Sequence, residues 1–384
     1  MPSANAPLAG ERYPAGRAVA PRVHEHFARH LAGARSGGPV AALPEVGAIE
    51  TLIDAAFWAS LRREEGYSPR ISLAFVQPDA VAHPLVFERP LPLTAAGLAR
   101  LAPAVERSGI HLGVWPDAGR LQVWGTTRSV PALCFVLEVA GPGLLVIKHH
   151  RGEESGKFVN VAVLEGDQIK VVDERARSLP DCPDLLTSLL GFESPATWAP
   201  AAGALAQLAV SMRAHGRGGA LLLVNAASEA WRESIVHPLS YAASPAFSLL
   251  VELMNQAEEQ RRLHGWLEAW GRAVDAVAGL TAVDGATVLT SRYELLGFGA
   301  KIVRRRGRPP VEQVTVTEPI EGGTAMVVHP TQLGGTRHLS AAQFVQDQRD
   351  AVALVASQDG RFTVFVWSPC GEMVHAHRVE TLLL

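Results

Sequence analysis

Residues 281–302, with the sequence TAVDGATVLTSRYELLGFGAKI, carry the pattern that decides the fold. Two apolar runs, ATVLT at 286–290 and LLGFGAKIV at 295–303, flank a short polar stretch and predict two consecutive strands. Asp284, Gly285 and Ala286 stand at the head of the first strand. A glycine there leaves space for a ligand, and the carboxylate could bind a ribose hydroxyl, bind a metal ion or act as a base.

The segments around this hairpin predict a mixed sheet flanked by helices. GALLLVN at 219–225 is a short apolar run behind glycines, which is typical of a buried strand, and a long helical pattern follows at about 244–278. Beyond the hairpin we predict strands at 312–317 and 325–329, a helix at 339–349, and strands at 351–357, 362–367 and 373–379.

A second motif, Gly334-Gly335-Thr336-Arg337-His338, stands at the head of the helix predicted for 339–349. Glycines let backbone amides approach an anion, a helix N-terminus adds partial positive charge, and an arginine can donate two hydrogen bonds to a phosphate. The chain has no GxxxxGK[ST] motif, since Gly152 to Lys157 has the wrong spacing and no Ser or Thr follows. The segment therefore predicts a phosphate site of another kind.

The N-terminal half predicts a separate strand-rich α+β domain. Its helical patterns lie at 48–64 and 93–107, its clearest hairpin joins LGVW (112–115) to RLQVWG (120–125), and further strands are predicted at 71–76, 133–139, 143–150, 157–166 and 168–173. We therefore predict a mixed α+β or α/β fold with two domains. The predicted divisions are a loose arm at 1–45 with one helical stretch at 21–31, a domain at 46–175, a Pro-rich linker at 176–202 and a second domain at 203–384.

Composition excludes several classes of function. The chain has 384 residues, with 35 Lys and Arg against 38 Asp and Glu, and its formal charge of −3 excludes a nucleic-acid grip built on bulk positive charge. The three cysteines, Cys134, Cys182 and Cys370, lie far apart, which argues against a disulfide framework or a structural zinc site. Since long apolar runs and a signal-peptide pattern are missing, we expect a cytoplasmic protein without a membrane span.

In this strand order, DGA at 284–286 and GTRH at 335–338 resemble the diadenylate cyclase (DAC) family, in which two such motifs face each other across an ATP site. The resemblance covers roughly 205–370. It implies a nucleotide site with one set of ligand-binding residues: Asp284, Gly285 and Ala286 on the ribose or base side, and Gly334, Gly335, Thr336, Arg337, His338 and Ser340 on the phosphate side.

The chain departs from active cyclases at two places. Leu339 stands where the family has a second arginine, so one cationic phosphate contact is missing. The acidic residue of a Ser-Glu pair after the motif has no clear counterpart, and Asp347 is the candidate substitute. With these changes the chain resembles the DAC-related sensor domains called DACNV, which are thought to bind nucleotides or nucleotide-derived signals. This resemblance is expected over most of the chain, less distinctly in the N-terminal half.

Three functions follow as alternatives. The first is a nucleotide-sensing protein that binds its ligand without turnover. The second is an active diadenylate cyclase that makes cyclic di-AMP from two ATP molecules, with Asp284 as a catalytic residue and Mg²⁺ or Mn²⁺ as its metal. The third is an interaction scaffold that has lost both ligand and activity. For the sensor, the implied partner is a small nucleotide, with no resident cofactor assigned.

The two halves also show a weak likeness. The segment 111–115 with its following turn and strand parallels 284–288, and 156–163 parallels 360–367. The N-terminal domain is therefore a candidate degenerate copy, which would allow either an intramolecular pseudo-dimer or a homo-oligomer. The alternative is that any two hairpins look this similar.

The other polar clusters are explained by ordinary structural roles. Arg304, Arg305, Arg306 and Arg308 are expected at a solvated hairpin tip, the alternative being a contact with phosphates or a partner. His26 and His30 share a helical face, but no HExxH pattern or carboxylate completes a metal site. The alternating residues around His375 and His377 predict an exposed strand face.

Overall fold

The computed structural model describes residues 12–33, 41–64, 66–107, 109–150, 158–173, 200–261 and 263–384. The chain forms two compact units, Met1–Val172 together with Leu384, and Asp173–Leu383. Each unit contains one mixed β-sheet with helices, so the predicted fold class is confirmed. Residues 176–199 of the predicted linker lie outside the described residues. No described helix is both long and apolar enough to cross a membrane.

The first unit is built on an eight-stranded sheet. Its helices are α1 (Pro14–Gly33), α2 (Val46–Ser60) and α3 (Ala95–Val105). Its strands are β1 (Ile71–Phe75), β2 (Leu85–Pro92), β3 (His111–Asp117), β4 (Arg120–Thr127), β5 (Phe135–Gly141), β6 (Leu144–His150), β7 (Phe158–Glu165) and β8 (Gln168–Val171). They lie in the order β2-β4-β3-β1-β5-β6-β7-β8, in which β1 and β3 are parallel and the other neighbours antiparallel.

Helix α1 corrects the prediction of a loose arm at 1–45. Val19, Val23 and Phe27 recur every four residues, are buried, and pack in the same core as α2 and the sheet. The helix continues through Pro21, where the predicted helix began. A proline inside a helix removes a hydrogen bond, and burial of the apolar face offsets that cost. Residues 14–33 therefore belong to the folded unit.

The second unit is built on a nine-stranded sheet. Its helices are α4 (Pro200–Ala214), α5 (Leu249–Met254), α6 (Glu258–Arg261), α7 (His264–Leu280) and α8 (Thr336–Asp347). Its strands are β9 (Gly219–Val224), β10 (Tyr241–Phe247), β11 (Ala286–Thr290), β12 (Leu295–Ala300), β13 (Val314–Thr317), β14 (Met326–Val328), β15 (Val352–Ala356), β16 (Phe362–Ser368) and β17 (Met373–Arg378). The order is β10-β12-β11-β9-β15-β16-β17-β13-β14, with two parallel pairs, β9 with β11 and β13 with β17.

The buried core of the second unit anchors α8 on the sheet. Leu222, Val288 and Ala353 of the sheet pack in one buried cluster with Phe344 and Val345 of the helix. Helix α8 therefore lies on one face of the sheet, anchored by its apolar side, and its N-terminus is held near the starts of β9 and β11. The long helix predicted at 244–278 is wrong over its first part, because β10 and three shorter helices occupy 241–280.

The two sheets share a strand order. The run β2-β4-β3-β1-β5-β6-β7 corresponds to β10-β12-β11-β9-β15-β16-β17, and each run has its parallel pair at the same place. The first residue of β3, His111, pairs with the last of β4, just as Ala286 at the start of β11 pairs with the last of β12. His111 therefore corresponds to Ala286, two residues beyond the predicted match to Asp284. By strand order β7 corresponds to β17, one strand beyond the predicted match.

Candidate functional site

One cavity of about 600 Å³ in the second unit brings the two predicted motifs together. It is lined by most of the predicted ligand-binding residues, namely Asp284, Gly285, Ala286, Gly335, Thr336, Arg337, His338 and Ser340. Gly334 does not line it. The two motifs are about fifty residues apart in sequence and meet because β11 and the N-terminus of α8 lie beside each other on the sheet.

The floor of this cavity is made of small residues. Ala220 of β9, Ala286 of β11 and Ala300 of β12 are neighbours across three strands. Gly285 has a φ of +103°, and a Cβ on it would lie 2.5 Å from the carbonyl carbon of Gly299. Only glycine accepts both that backbone conformation and that close approach. The DGA segment is therefore needed in this form to keep the floor open.

The helix N-terminus supplies hydrogen-bond donors. Gly335 is the N-cap of α8 and provides no side-chain cap. The backbone amides of Thr336 and Arg337 have no acceptor among the described residues. Amides in this position, together with the helix dipole, favour an anion. The side chain of Arg337 forms no ion pair within 4 Å with a described residue, so its guanidinium is available to the same anion.

His338 contributes a neutral ring rather than a cation. It is 2% exposed, its Nε2 has no hydrogen-bond partner in the described part of the chain, and burial lowers its pKa below the usual value. At neutral pH the imidazole is therefore uncharged. Gly334 leaves room for this ring, since a Cβ on Gly334 would lie 2.4 Å from Nδ1 of His338. Gly334 thus acts by making room behind the cavity wall.

Asp284 is paired with a lysine that the motif analysis did not assign to the site. Lys301, which follows β12, donates a hydrogen bond to the Asp284 carboxylate. That hydrogen bond and the lysine charge lower the pKa of Asp284, and Arg337 adds to the effect. Lys301 was visible in the sequence only as a basic residue near an arginine run. Its place directly after β12, whose last residue pairs with Ala286 of β11, is what brings it to the cavity.

Two further polar residues, Ser357 and Gln358, line the cavity just beyond β15. Asp347, the predicted acidic substitute, does not line it. Asp347 is buried near the end of α8, where its carboxylate accepts hydrogen bonds from the Arg305 amide at 2.8 Å and from Nε2 of Gln343 at 3.1 Å. This prediction is wrong because α8 carries Asp347 three turns away from the helix N-terminus.

The donor set of the cavity does not fit a divalent metal held by protein groups alone. Mg²⁺ and Mn²⁺ prefer several carboxylate or carbonyl oxygens. Asp284 is the one carboxylate lining the cavity, and Lys301 already occupies it. Among the described residues, no group of three or more His, Cys, Asp or Glu is arranged to hold a metal ion. The lining instead has two cations, Lys301 and Arg337, against one carboxylate, which favours an anionic ligand.

The matching corner of the first sheet is filled by its own side chains. Ser72 Oγ lies 2.7 Å from His111 Nδ1, and Lys148 donates a hydrogen bond to Glu138 on the same face. Burial lowers the pKa of His111 to about 4, so the ring is neutral. Residues 128–134, between β4 and β5, contain no helix equivalent to α8. At this corner residues 128–134 therefore provide no counterpart of the helix N-terminus that supplies anion donors in the second unit.

Comparison with known proteins places one match in the first unit. Residues 38–128 match the family model described as "Probable sensor domain DACNV". A comparison with curated proteins found no match. The family description is consistent with a sensing role. The matched segment ends just after β4, so the predicted resemblance to DACNV is supported in the half where it was expected to be less distinct.

Proposed function

We propose that the second unit binds the phosphate end of a nucleotide or nucleotide-derived signal and that the protein works as a sensor, without turnover. The observation that carries the proposal is that one cavity gathers Arg337, Lys301 and two amides of α8 that have no acceptor among the described residues, above a floor of alanines. These donors suit phosphate oxygens in number and charge. The sensor-domain match in the first unit supports signalling rather than metabolism.

Calorimetry with ATP, ADP and AMP tests binding. We expect Arg337→Ala to weaken the affinity by about ten-fold or more, because a hydrogen bond to a charged group contributes about 1.5–3 kcal/mol. Arg272→Ala is the matched control, since Arg272 lies on α7, does not line the cavity, and forms an exposed ion pair with Glu268. Equal affinities for Arg337→Ala and the wild type, or the failure of every nucleotide to bind, would overturn the proposal.

The absence of turnover is tested separately. Wild-type protein is incubated with labelled ATP and Mg²⁺ or Mn²⁺, and the products are separated to look for a cyclic dinucleotide. We expect none, because the single carboxylate of the cavity is held by Lys301. A cyclic product that disappears in Asp284→Ala would instead support the cyclase alternative, with the sensor function rejected.

A further inference from the structure

A second hollow of about 440 Å³ adjoins the cavity. Ile302 and Ser340 line both spaces, so the hollow and the cavity lie side by side along the first turn of α8. Ligand sites in proteins commonly occupy about 300–1,000 Å³. Each of the two spaces is within this range, so a second space of ligand size lies beside the cavity at the helix N-terminus.

The hollow has an apolar floor. Ile302, Val311 and Leu339 line it, and Ile302 and Leu339 also pack against the buried cluster below α8. Flat aromatic rings bind well on such surfaces, because they bury a large apolar area at little conformational cost. A nucleobase matches this floor, whereas a phosphate placed on the floor itself would lose its hydration to apolar side chains.

The rim of the hollow carries a cation that the fold leaves unused. Arg304 is exposed, lines the hollow, and forms no ion pair with a described residue. Its neighbour Arg305 differs, since it is paired with Glu233 at 2.6 Å and its amide is bound by Asp347. Arg306 is exposed and lines neither space. The arginine run therefore contains one residue held in an ion pair, Arg305, one that lines the hollow, Arg304, and others exposed to solvent.

His329 stands on the same rim. Its Nδ1 lies 2.7 Å from the Thr331 hydroxyl and also accepts a hydrogen bond from the Thr331 amide, which fixes the ring. The hollow thus presents one cation and one oriented imidazole beside an apolar floor. That combination recognises a base together with a second anionic group.

We propose that the ligand is a dinucleotide: one phosphate lies at the N-terminus of α8, and the second nucleoside lies on the Ile302 and Leu339 floor with its phosphate beside Arg304. This inference rests on the proposed nucleotide function and adds the size of the ligand to it. A mononucleotide would leave Arg304 and the apolar hollow unused.

The test compares three ligands by calorimetry: AMP, ADP and the linear dinucleotide pApA. ADP controls for added charge, because both its phosphates lie at one end. We expect pApA to bind at least about ten-fold tighter than AMP, and Arg304→Ala to remove about ten-fold of the pApA affinity while AMP and ADP stay within two-fold. Arg306→Ala, from the same arginine run, is the matched control and should change none of the three.

The outcomes separate the two proposals. If AMP and pApA bind equally, and Arg304→Ala changes neither while Arg337→Ala weakens both, the dinucleotide proposal is wrong and the nucleotide site stands. If Arg304→Ala and Arg306→Ala weaken pApA equally, the effect is one of general charge and the proposal is also wrong. If no ligand binds the wild type, both proposals fail.

Discussion

At the scale of single residues, the two adjacent glycines of the GGTRH segment have different tasks. Gly334 lies against the buried ring of His338, whereas no atom lies within 4 Å of the place where a Cβ on Gly335 would be. Sequence alone treats both as glycines that let amides approach an anion. The structure assigns that task to Gly335 and gives Gly334 a packing task, because the ring that it accommodates is 2% exposed and cannot move aside.

This difference predicts losses of stability of different size for two neighbouring variants. Gly334→Ala would place a methyl group 2.4 Å from Nδ1 of His338, so the ring or the start of α8 must shift, at a cost of about 1–3 kcal/mol of unfolding free energy. Gly335→Ala, at the N-cap with a φ of −78°, should cost less than 1 kcal/mol. Urea unfolding of both variants checks this. Equal losses of stability would contradict the assignment.

At the scale of helices and strands, most of the second sheet could be predicted from its sequence, and its outer edge could not. β11 was predicted with its observed bounds, because ATVLT is a short apolar run buried along its whole length. The prediction missed β10, and in the first sheet it missed β2 at the corresponding edge. Both are exposed over most of their length and contain proline, so neither shows an apolar alternation.

The same reasoning explains an error on β17. The alternation around His375 and His377 predicted an exposed face, yet His377 is 1% exposed. β17 lies between β16 and β13, so it is an inner strand of the sheet. The His377 ring lies beside Thr317 of β13, so a neighbouring strand that the local alternation does not reveal helps to cover it. Sequence could not show this, because the pairing of β13 with β17 joins segments about sixty residues apart.

The burial of His377 predicts a loss of stability in acid. Its Nδ1 lies 2.9 Å from the Thr317 hydroxyl, its Nε2 has no partner among the described residues, and burial lowers its pKa to about 3. The unfolded chain takes up this proton near pH 6.5, whereas the folded one does so only near pH 3. Stability is therefore full above pH 6.5 and falls as the pH drops between these values.

We expect this residue to lower the unfolding free energy by about 2 kcal/mol between pH 7 and pH 5. Urea titrations at the two pH values measure it, and His377→Gln should show a pH dependence smaller by that amount. His83→Asn, which alters an exposed histidine with a positive φ, is the control and should keep the wild-type dependence. An unchanged dependence in His377→Gln would show that the ring is not buried as a neutral group.

At the scale of the whole molecule, the two units share a strand order but differ at the corner of the sheet where β3 or β11 begins. In the second unit, alanines at 220, 286 and 300 leave a cavity at the point where β11 begins. In the first unit, His111 occupies the position that corresponds to Ala286, and its ring is hydrogen-bonded to the neighbouring Ser72. The likeness between the halves was visible in the sequence as two similar hairpins. The sequence did not show the strand register that aligns His111 with Ala286, because that register depends on strand pairing.

This contrast predicts one nucleotide site per chain. Calorimetry with the tightest-binding nucleotide should give a stoichiometry of one, and Arg337→Ala should weaken all of the binding rather than half of it. Hydrogen exchange should show ligand protection at 284–286, 335–338, 340 and 357–358, which line the cavity, and none at 109–112. His111→Gln, which keeps a polar side chain in the filled corner, should leave both readouts unchanged. A stoichiometry of two, or ligand protection at 109–112, would contradict this expectation and would show that the corner of the first unit, where His111 lies beside Ser72, also binds a ligand.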